Sequence, residues 1–585
     1  MDLRIENTYA KFSRSKNKNP LYDSYIRAFR WASDRIGDEG VIGFVTNANW
    51  IDGTVTDGMR KCFYDEFSKI FIFHLRGNQR TSGEVSRKEG GKIFGSGSRA
   101  PIAITILVKK QKNKDDCEIF LHDIGDYLDR NKKLDRVKTF KSVSNMKNAR
   151  KFISITPDEE NDWLNQTDKN FQKLLPLKSK TDDKGIEIFK IASSGVSTQR
   201  DAWCYNFSKN KLSQNISGSI TYFNSHQNEV RQKFNRNETL QPEKLIDRNS
   251  KRFSWDSKLD RLFAKFEPLN FNPENIQLAL YRPFTKAWIY RDPHLNWSEY
   301  KMRQIFPNAD ASNIVLMTSG IGGTKGFSLL ASRQIVDRNI MPAGVQCYPL
   351  RVYEQETKDD SLFSNTKDIG EFSSSSGIHH FAKDKINSLL SNRDLSDKEF
   401  LAYIYAVCHS TEYQTRFANN LIKETPRIPV SKDTKIIEKY VQAGLVMMDL
   451  HLDFDEVKKY ECQIKEGDLQ LTHIEDPKSF FRVEKMKFAK KGDKSTVIYN
   501  KNVTIENIPL EAYEYVVNGK PALEWVMERQ CVKTDKASGI VNDANDYANE
   551  TMNNPAYPLE LFQRVITVSL ETMKIVKSLP KLDID

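Results

Sequence analysis

The chain has 585 residues, a formal net charge of +11 and a pI near 9.0, with 39% hydrophobic and 29% charged residues. That length suits roughly two to four domains with real cores, and the basic balance favours a polyanionic partner without requiring one. No apolar run approaches a bilayer span, Met1–Glu6 lacks a signal-peptide core, and seven scattered cysteines argue against a disulfide framework or a zinc site and for reduced thiols in the cytoplasm.

Residues 2–19 are polar and basic, with Arg4, Lys11, Arg14, Lys16 and Lys18, and hold no strand of their own. Leu21, Tyr25, Ile26, Phe29 and Ile36 then recur at helical spacing until Gly37 and Gly40 break the pattern. Residues 41–46 form an apolar run that suits a strand buried on both faces. A helix follows over 57–67, then strands over 70–75 and 102–108, the last two separated by a long polar loop, 76–99. The alternation implies an α/β sheet wound with crossovers. Ligands bind such sheets at the carboxyl ends of strands, which singles out the turn over 46–50, with Asn47 and Trp50, and the 76–99 loop. Arg76, Arg80, Arg87, Lys88 and Arg99 would give that loop a positive field toward phosphates, or merely a solvated surface. A doubly wound domain normally opens with a strand and a glycine-rich turn. None precedes Leu21, so the chain reads as starting in mid-domain, or else as carrying a short flexible tail.

Residues 111–151 turn polar and lysine-rich and read as a linker with one short strand, 117–122. A second region begins near Phe171, with a strand over 186–191. The loop after it, 193–203, holds Thr198, Arg200 and Asp201, which could meet a phosphate or base edge, or an Arg–Asp pair could simply fix the turn. Residues 207–251 are largely helical. The stretch 278–291 is the densest interleaving of aromatic and basic residues in the chain, a pattern found on surfaces that meet nucleic acid. Trp288 and Tyr290 suit a core, while Arg282 and Lys286 could still reach phosphate. The glycine-rich loop 318–326, with Lys325, could cradle a phosphate through backbone amides, although it does not match a nucleotide-binding P-loop. Residues 358–376 read as a surface loop. The Cys408-His409 pair is not a nucleophile pair, because neighbours on a helix do not face each other. Strands are expected over 483–488, 495–499 and 503–508, a short helix pair over 513–526, and a closing helix over about 558–579.

Three segments resemble a known family: Leu21-Tyr22-Asp23-Ser24-Tyr25-Ile26-Arg27-Ala28-Phe29-Arg30-Trp31-Ala32, Gly40-Val41-Ile42-Gly43-Phe44-Val45-Thr46-Asn47, and Gly90-Gly91-Lys92-Ile93-Phe94-Gly95. They are similar to the second half of the adenine-specific DNA methyltransferase domain of type ISP restriction–modification enzymes. Tyr281-Arg282-Pro283-Phe284, Pro426-Arg427-Ile428-Pro429, Tyr513-Glu514-Tyr515 and Leu523-Glu524-Trp525 with Ser538-Gly539-Ile540-Val541 resemble, in order, the specificity region of the same enzymes.

The resemblance implies an incomplete Rossmann-like methyltransferase sheet over 1–112, a linker over 113–170, and a mixed α+β target-recognition domain over 171–585 with a further division near 385. It implies double-stranded DNA as partner, no metal, and S-adenosylmethionine as methyl donor, whose binding motif is absent here. The catalytic Asn-Pro-Pro-Tyr motif is absent too, so no catalytic set is complete. Asn19-Pro20-Leu21-Tyr22 and Asn554-Pro555-Ala556-Tyr557 depart from it, and the second reads as a turn before the last helix. Phe94 matches the aromatic that contacts the flipped base, with ordinary packing as the alternative. The implied role is DNA recognition and base presentation beside an N-terminal methyltransferase, helicase and nuclease polypeptide. The rivals are a specificity subunit without catalysis and a remnant of a broken gene.

Overall fold

In the computed structural model, all residues are described except 82, 96, 111–116, 180–186, 237–239, 324, 356–371, 391–392, 466–473 and 585, together with the side chains of 83 and 84. The chain divides into two units, Met1–Asp168 and Lys169–Asp585.

One five-stranded sheet organises the first unit. Helix α1 (Asp2–Ile5), continued by a π-turn over Glu6–Ala10, and helix α2 (Ser24–Ser33) precede strand β1 (Gly40–Asn47). Then come α3 (Asp57–Glu66), β2 (Lys69–His74), α4 (Gly83–Glu89), β3 (Ile102–Lys109), β4 (Glu118–Asp123), α5 (Arg130–Thr139), α6 (Val143–Asn148) and β5 (Ile153–Ile155). The spatial order is β1-β3-β2-β4-β5. β3 lies antiparallel between β1 and β2, β2 pairs parallel with β4, and β5 closes the far edge antiparallel. The crossover expected from the strand–helix alternation joins β1 to β2, whereas the long loop lets β3 turn back and insert between them. β3 is apolar nearly throughout and takes a position with both edges hydrogen-bonded.

Strand β1 departs from its expected burial. It is an edge strand, and Val41 and Val45 remain 67% and 53% exposed while Ile42 is buried. Odd-numbered residues face out and even-numbered ones face the core, the period of a half-buried strand. The segment expected to be a linker is also different: β4, β5, α5 and α6 complete the sheet, with Ile119, Leu121 and Ile155 buried. Nor is the N-terminus a tail. Ile5, Tyr9 and Ala10 are buried, and Gly58 of α3 comes so close that a Cβ there would lie 2.1 Å from the Tyr9 carbonyl oxygen.

The second unit combines several small sheets with long helices. The hairpin Ile276–Arg282/Thr285–Tyr290 carries Ile335–Val336 on one edge and Tyr205–Asn206 on the other. Val315–Thr318 lies between Leu329–Ser332 and Gln346–Pro349. A separate sheet has the order Gln463–Ile464, Thr504–Glu506, Asp493–Ile498, Lys487–Lys490. The expected helix over 207–251 is Lys209–Arg236, and the closing helix is Tyr557–Ser578, entered by a turn in which Asn554 Oδ1 accepts the Ala556 amide (3.0 Å). Within the span expected to be a surface loop, Phe372–Ser376 pairs with Arg351–Gln355 as a strand, and 358–371 lie outside the described residues. The strand expected over 186–191 reduces to a bridge of Phe189 to Ile378, residue 186 being outside the described set. The expected helix pair over 513–526 is half right. Ala522–Arg529 is helical, but Val516–Val517 and Lys520–Pro521 form a hairpin. Its turn residues, Asn518 and Gly519, both take positive φ (+55° and +69°), as a two-residue hairpin loop requires.

Helices Asp397–His409 and Thr434–Leu452 pack at close range, since a Cβ on Gly444 would lie 1.9 Å from the Ala402 carbonyl oxygen. Cys408 and His409 end the first of these helices and are buried in its packing. The His409 Nδ1–H donates to the Tyr405 carbonyl (2.9 Å), and His451 sits between the Tyr405 hydroxyl and Thr572 Oγ1 (2.8 Å). Burial pushes His409 down to about 4 and His451 well below the usual histidine range.

Two outcomes are expected from this packing. Gly444→Ala should force the helices apart and destabilise the second unit by about 1–3 kcal/mol, read as a lower denaturant midpoint. Because both histidines are folded in the neutral form, the unfolded chain binds protons first as pH falls below about 6.5. His409 should then remove up to about 1.4 kcal/mol of stability per pH unit down to about pH 4, and His451 should add a loss of the same sign. Thermal melts at stepped pH should show a shallower acid loss in His409→Gln/His451→Gln than in the parent chain, and an unchanged slope would refute this.

Candidate nucleic-acid interface

In the first unit, the 76–99 loop leaves the end of β2 and is held by its own side chains. Arg76 is not turned to a partner outside: its guanidinium pairs with Asp123 (2.8 Å) and Asp126, fixing the loop base to the end of β4. Asn78 N–H donates to Glu89 (2.8 Å), and Gln79 donates to the carbonyls of Arg99 and Gly90 through its backbone and side-chain nitrogens (2.9 and 3.0 Å). The buried Lys133 of α5 donates from Nζ to the carbonyl oxygens of Glu89 (2.7 Å) and Gly91 (2.8 Å). Burial pushes its ammonium down to about 8. Gly90 and Gly91 lie flat on residues 128–130, where any Cβ would meet backbone at 2.1 and 2.6 Å. This pinned turn buries Ile93 and leaves Phe94 48% exposed, while Arg80, Arg87, Lys88 and Arg99 stand at the surface.

The turn after β1 behaves differently. Asn47 is half-buried and its Oδ1 accepts the Asn49 amide (2.9 Å), and Ala48 N–H closes the turn on the Pro101 carbonyl (2.9 Å). Trp50 is 0% exposed and packs on Phe29, Phe63 and Trp163 at ring-centre distances of 5.4–5.7 Å. It is a core residue, and its expected place on a base pocket is corrected accordingly. A turn closed by Pro101 and filled by Trp50 offers no cradle for a methyl donor, so these residues do not fit S-adenosylmethionine.

In the second unit, most of the cations singled out by the sequence are spent inside. Thr198 and Arg200 are 1% and 6% exposed. Thr198 Oγ1 accepts the Arg200 amide (3.2 Å) and donates to Asp201, while the Arg200 guanidinium donates to the Leu295 carbonyl and pairs with Asp256. Arg282 bridges Asp337 (2.6 Å) and Asp201 (3.1 Å) and lies 3.9 Å over the Tyr281 ring. Burial raises the Asp337 carboxyl to about 7 against the pull of Arg282. Lys286 pairs with Asp455 (2.7 Å). Tyr290 is buried and Trp288 Nε1 donates to Thr551 (3.0 Å). Thr198, Arg200, Arg282 and Lys286 are therefore struts of this unit, not surface groups, since removing the carboxylate beside such a cation would leave an uncompensated charge.

The glycine-rich loop is corrected in the same way. The amides of Ser319, Gly320 and Gly322 donate to Ser328, Pro342 and Ile422 carbonyls (3.0, 3.0 and 2.7 Å), so they are not aimed at a phosphate. Thr324 lies outside the described residues, and Lys325 is half-buried beside Gly519. What the sequence reading passed over is a groove of about 510 Å³ lined by Ser479, Arg482, Glu484, Lys485, Lys487, Ile498, Asn500 and Lys501. The run of lysines through 485–501 was its visible signal.

Comparison with known proteins places this geometry. The structure is similar to that of a nuclease-deletion mutant of the Type ISP restriction–modification enzyme LlaGI in complex with a DNA substrate mimic, with 37% identity and a TM-score of 0.81 over 100% of this chain and 50% of that one. It is similar to the ATP-dependent Type ISP restriction–modification enzyme LlaBIII bound to DNA, with 34% identity and a TM-score of 0.80 over 100% of this chain and 35% of that one. It is also similar to DrdV in a complex with DNA, with 27% identity and a TM-score of 0.76 over 99% of this chain and 54% of that one. No curated protein matches. The fold is thus that of restriction–modification enzymes. A profile for the Type ISP C-terminal specificity domain matches residues 187–561, and the chain belongs to the Type ISP family. It spans about half the length of the LlaGI chain and about a third of the LlaBIII chain.

Replacing Lys133 with Met would strip the Glu89 and Gly91 carbonyls of their donor. Hydrogen exchange at residues 90–94 is expected to quicken by about tenfold or more, as for loss of one or more buried hydrogen bonds. Exchange unchanged from the parent would show that the glycine contacts alone hold the turn.

Proposed function

We propose that the chain recognises a DNA sequence and presents adenine for methylation in a restriction–modification system, while the amine and the methyl donor are gripped by residues outside this sequence. The observation that carries the reading is the specificity-domain match over 187–561. It is supported by the pinned turn in the first unit, which holds one exposed aromatic ring, Phe94, among exposed cations. An extruded base needs a ring face to lie against, and the flanking Arg80, Arg87, Lys88 and Arg99 suit the phosphates on either side of it. S-adenosylmethionine supplies the methyl group in such a reaction, and none of the site residues described here is assigned to hold it.

The partner that completes the site is an N-terminal methyltransferase part, with helicase and nuclease domains, on the same or another polypeptide. The edge of β1 favours this over a specificity subunit acting alone. Among the described residues its outer edge pairs with no strand, and it exposes Val41 and Val45, a combination that in an isolated protein invites strand addition.

Selection from a random duplex pool should enrich one sequence motif, and failure to enrich any would sink the recognition reading. Added alone to DNA with labelled S-adenosylmethionine, the chain should incorporate no methyl, and clear turnover would refute the split of the site. When complemented by an N-terminal methyltransferase part, Phe94→Ala should lower methylation about five- to 150-fold, the loss of one stacked base, with the enriched motif unchanged.

A further inference from the structure

The groove at Lys485, Lys487 and Lys501 differs from the other basic features of the second unit in one respect. Elsewhere the conspicuous cations are buried against carboxylates. Here Lys485, Lys487 and Lys501 are exposed, and among the described residues none of them makes an ion pair. Arg482, on the same wall, is already held by Asp543 (2.9 Å) and Glu484 (2.8 Å), which also occupies the one acidic side chain lining the groove.

Lysine on a sheet edge has a plainer use. Lys487–Lys490 is the outer strand of its sheet, and charge there blocks pairing with another strand. That use accounts for Lys487 and Lys490. It does not account for Lys485 and Lys501, which lie off the edge strand yet line the same groove.

We propose that this groove docks the sugar–phosphate backbone of duplex DNA and supplies affinity without reading sequence. Unpaired ammonium groups converging on an open concave surface complement phosphates. Lysine is a point charge without the planar fork that reads a base edge or grips a carboxylate. Among the described residues no aromatic ring lines the groove, and none is there to take the stacked bases of a single strand. The inference takes its partner from the recognition reading above.

The test is the salt dependence of binding by the full chain to a labelled random-sequence duplex, measured for the parent and for Lys485→Gln/Lys487→Gln/Lys501→Gln. Three lost phosphate contacts should flatten the plot of log affinity against log salt by about three units and weaken binding roughly tenfold or more at low salt. The three corresponding Lys→Arg changes should restore the parent slope. A control that removes the same charge elsewhere, Lys432→Gln/Lys435→Gln/Lys439→Gln, should leave the slope unchanged. A parent-like slope in the groove variant would overturn the proposal, as would equal flattening in the control or an equal loss on single-stranded DNA. The two readings fail separately: a groove-dependent slope with no enriched motif removes sequence recognition and leaves the groove, whereas an enriched motif with an unaltered slope does the reverse.

Discussion

A charge taken out of water must be met by polar groups, most often by an opposite charge in a pair, and this constraint decides which of the chain's many cations face outward. Removing one partner of such a pair leaves an uncompensated ion and costs several kcal/mol, about 3–5 in typical cases. In the second unit, Arg200 is held by Asp256, Arg282 by Asp337 and Asp201, Lys286 by Asp455 and Arg291 by Glu299. In the first, Arg60 meets Asp162 and Arg30 meets Glu66 and Asp34. A net charge of +11 therefore says little about where a polyanion would sit until the internal pairs are removed from the account. What remains at the surface is lysine and arginine together, Arg35, Arg150, Arg252 and Arg351 among them beside the arginines of the 76–99 loop.

The predominance of arginine in the buried pairs follows from its chemistry. A guanidinium is weakly hydrated, planar and able to satisfy two acceptors at once, as Arg282 does with two carboxylates. An ammonium is strongly hydrated and is costlier to bury. The buried Lys133 shows what it takes: two carbonyl oxygens at 2.7 and 2.8 Å and glycines that let the backbone approach. Its reward is a turn held rigidly enough to keep Phe94 clear of the core.

The sequence made the local order legible. Strands over 70–75 and 102–108, the long helix after residue 207 and the closing helix after Ala556 all follow from apolar periodicity and flanking breakers. It could not reveal which cations are spent, because the partners are remote: Lys286 finds Asp455 and Arg200 finds Asp256 only when the chain is folded. The same is true of β1, whose apolar run resembles that of a central strand until β3 takes the inner place. The hairpin at Asn518-Gly519 is another matter. Asn-Gly between short apolar runs is a strong turn signal, and it was overridden by helix-like spacing on either side. The residues of the first unit that resemble a base-contacting turn were readable only as a motif, since the lysine that pins them lies some forty positions on, at Lys133.

These features separate two jobs that a DNA-recognition protein must do. Meeting a base, the role proposed for Phe94, needs a group fixed to within a fraction of an ångström, and the 90–94 turn stands on such a support at Lys133. Holding a backbone needs only charge in the right neighbourhood, and flexible lysines on a shallow groove suffice because phosphates repeat along the duplex and tolerate sliding. The ion-pair network is thus better understood as the scaffold that makes specificity geometrically possible than as the surface that delivers it. Loss of a strut such as Asp256 would strand the Arg200 guanidinium in the core and move every loop braced on it, whereas loss of a surface lysine leaves the fold untouched and changes only the attraction.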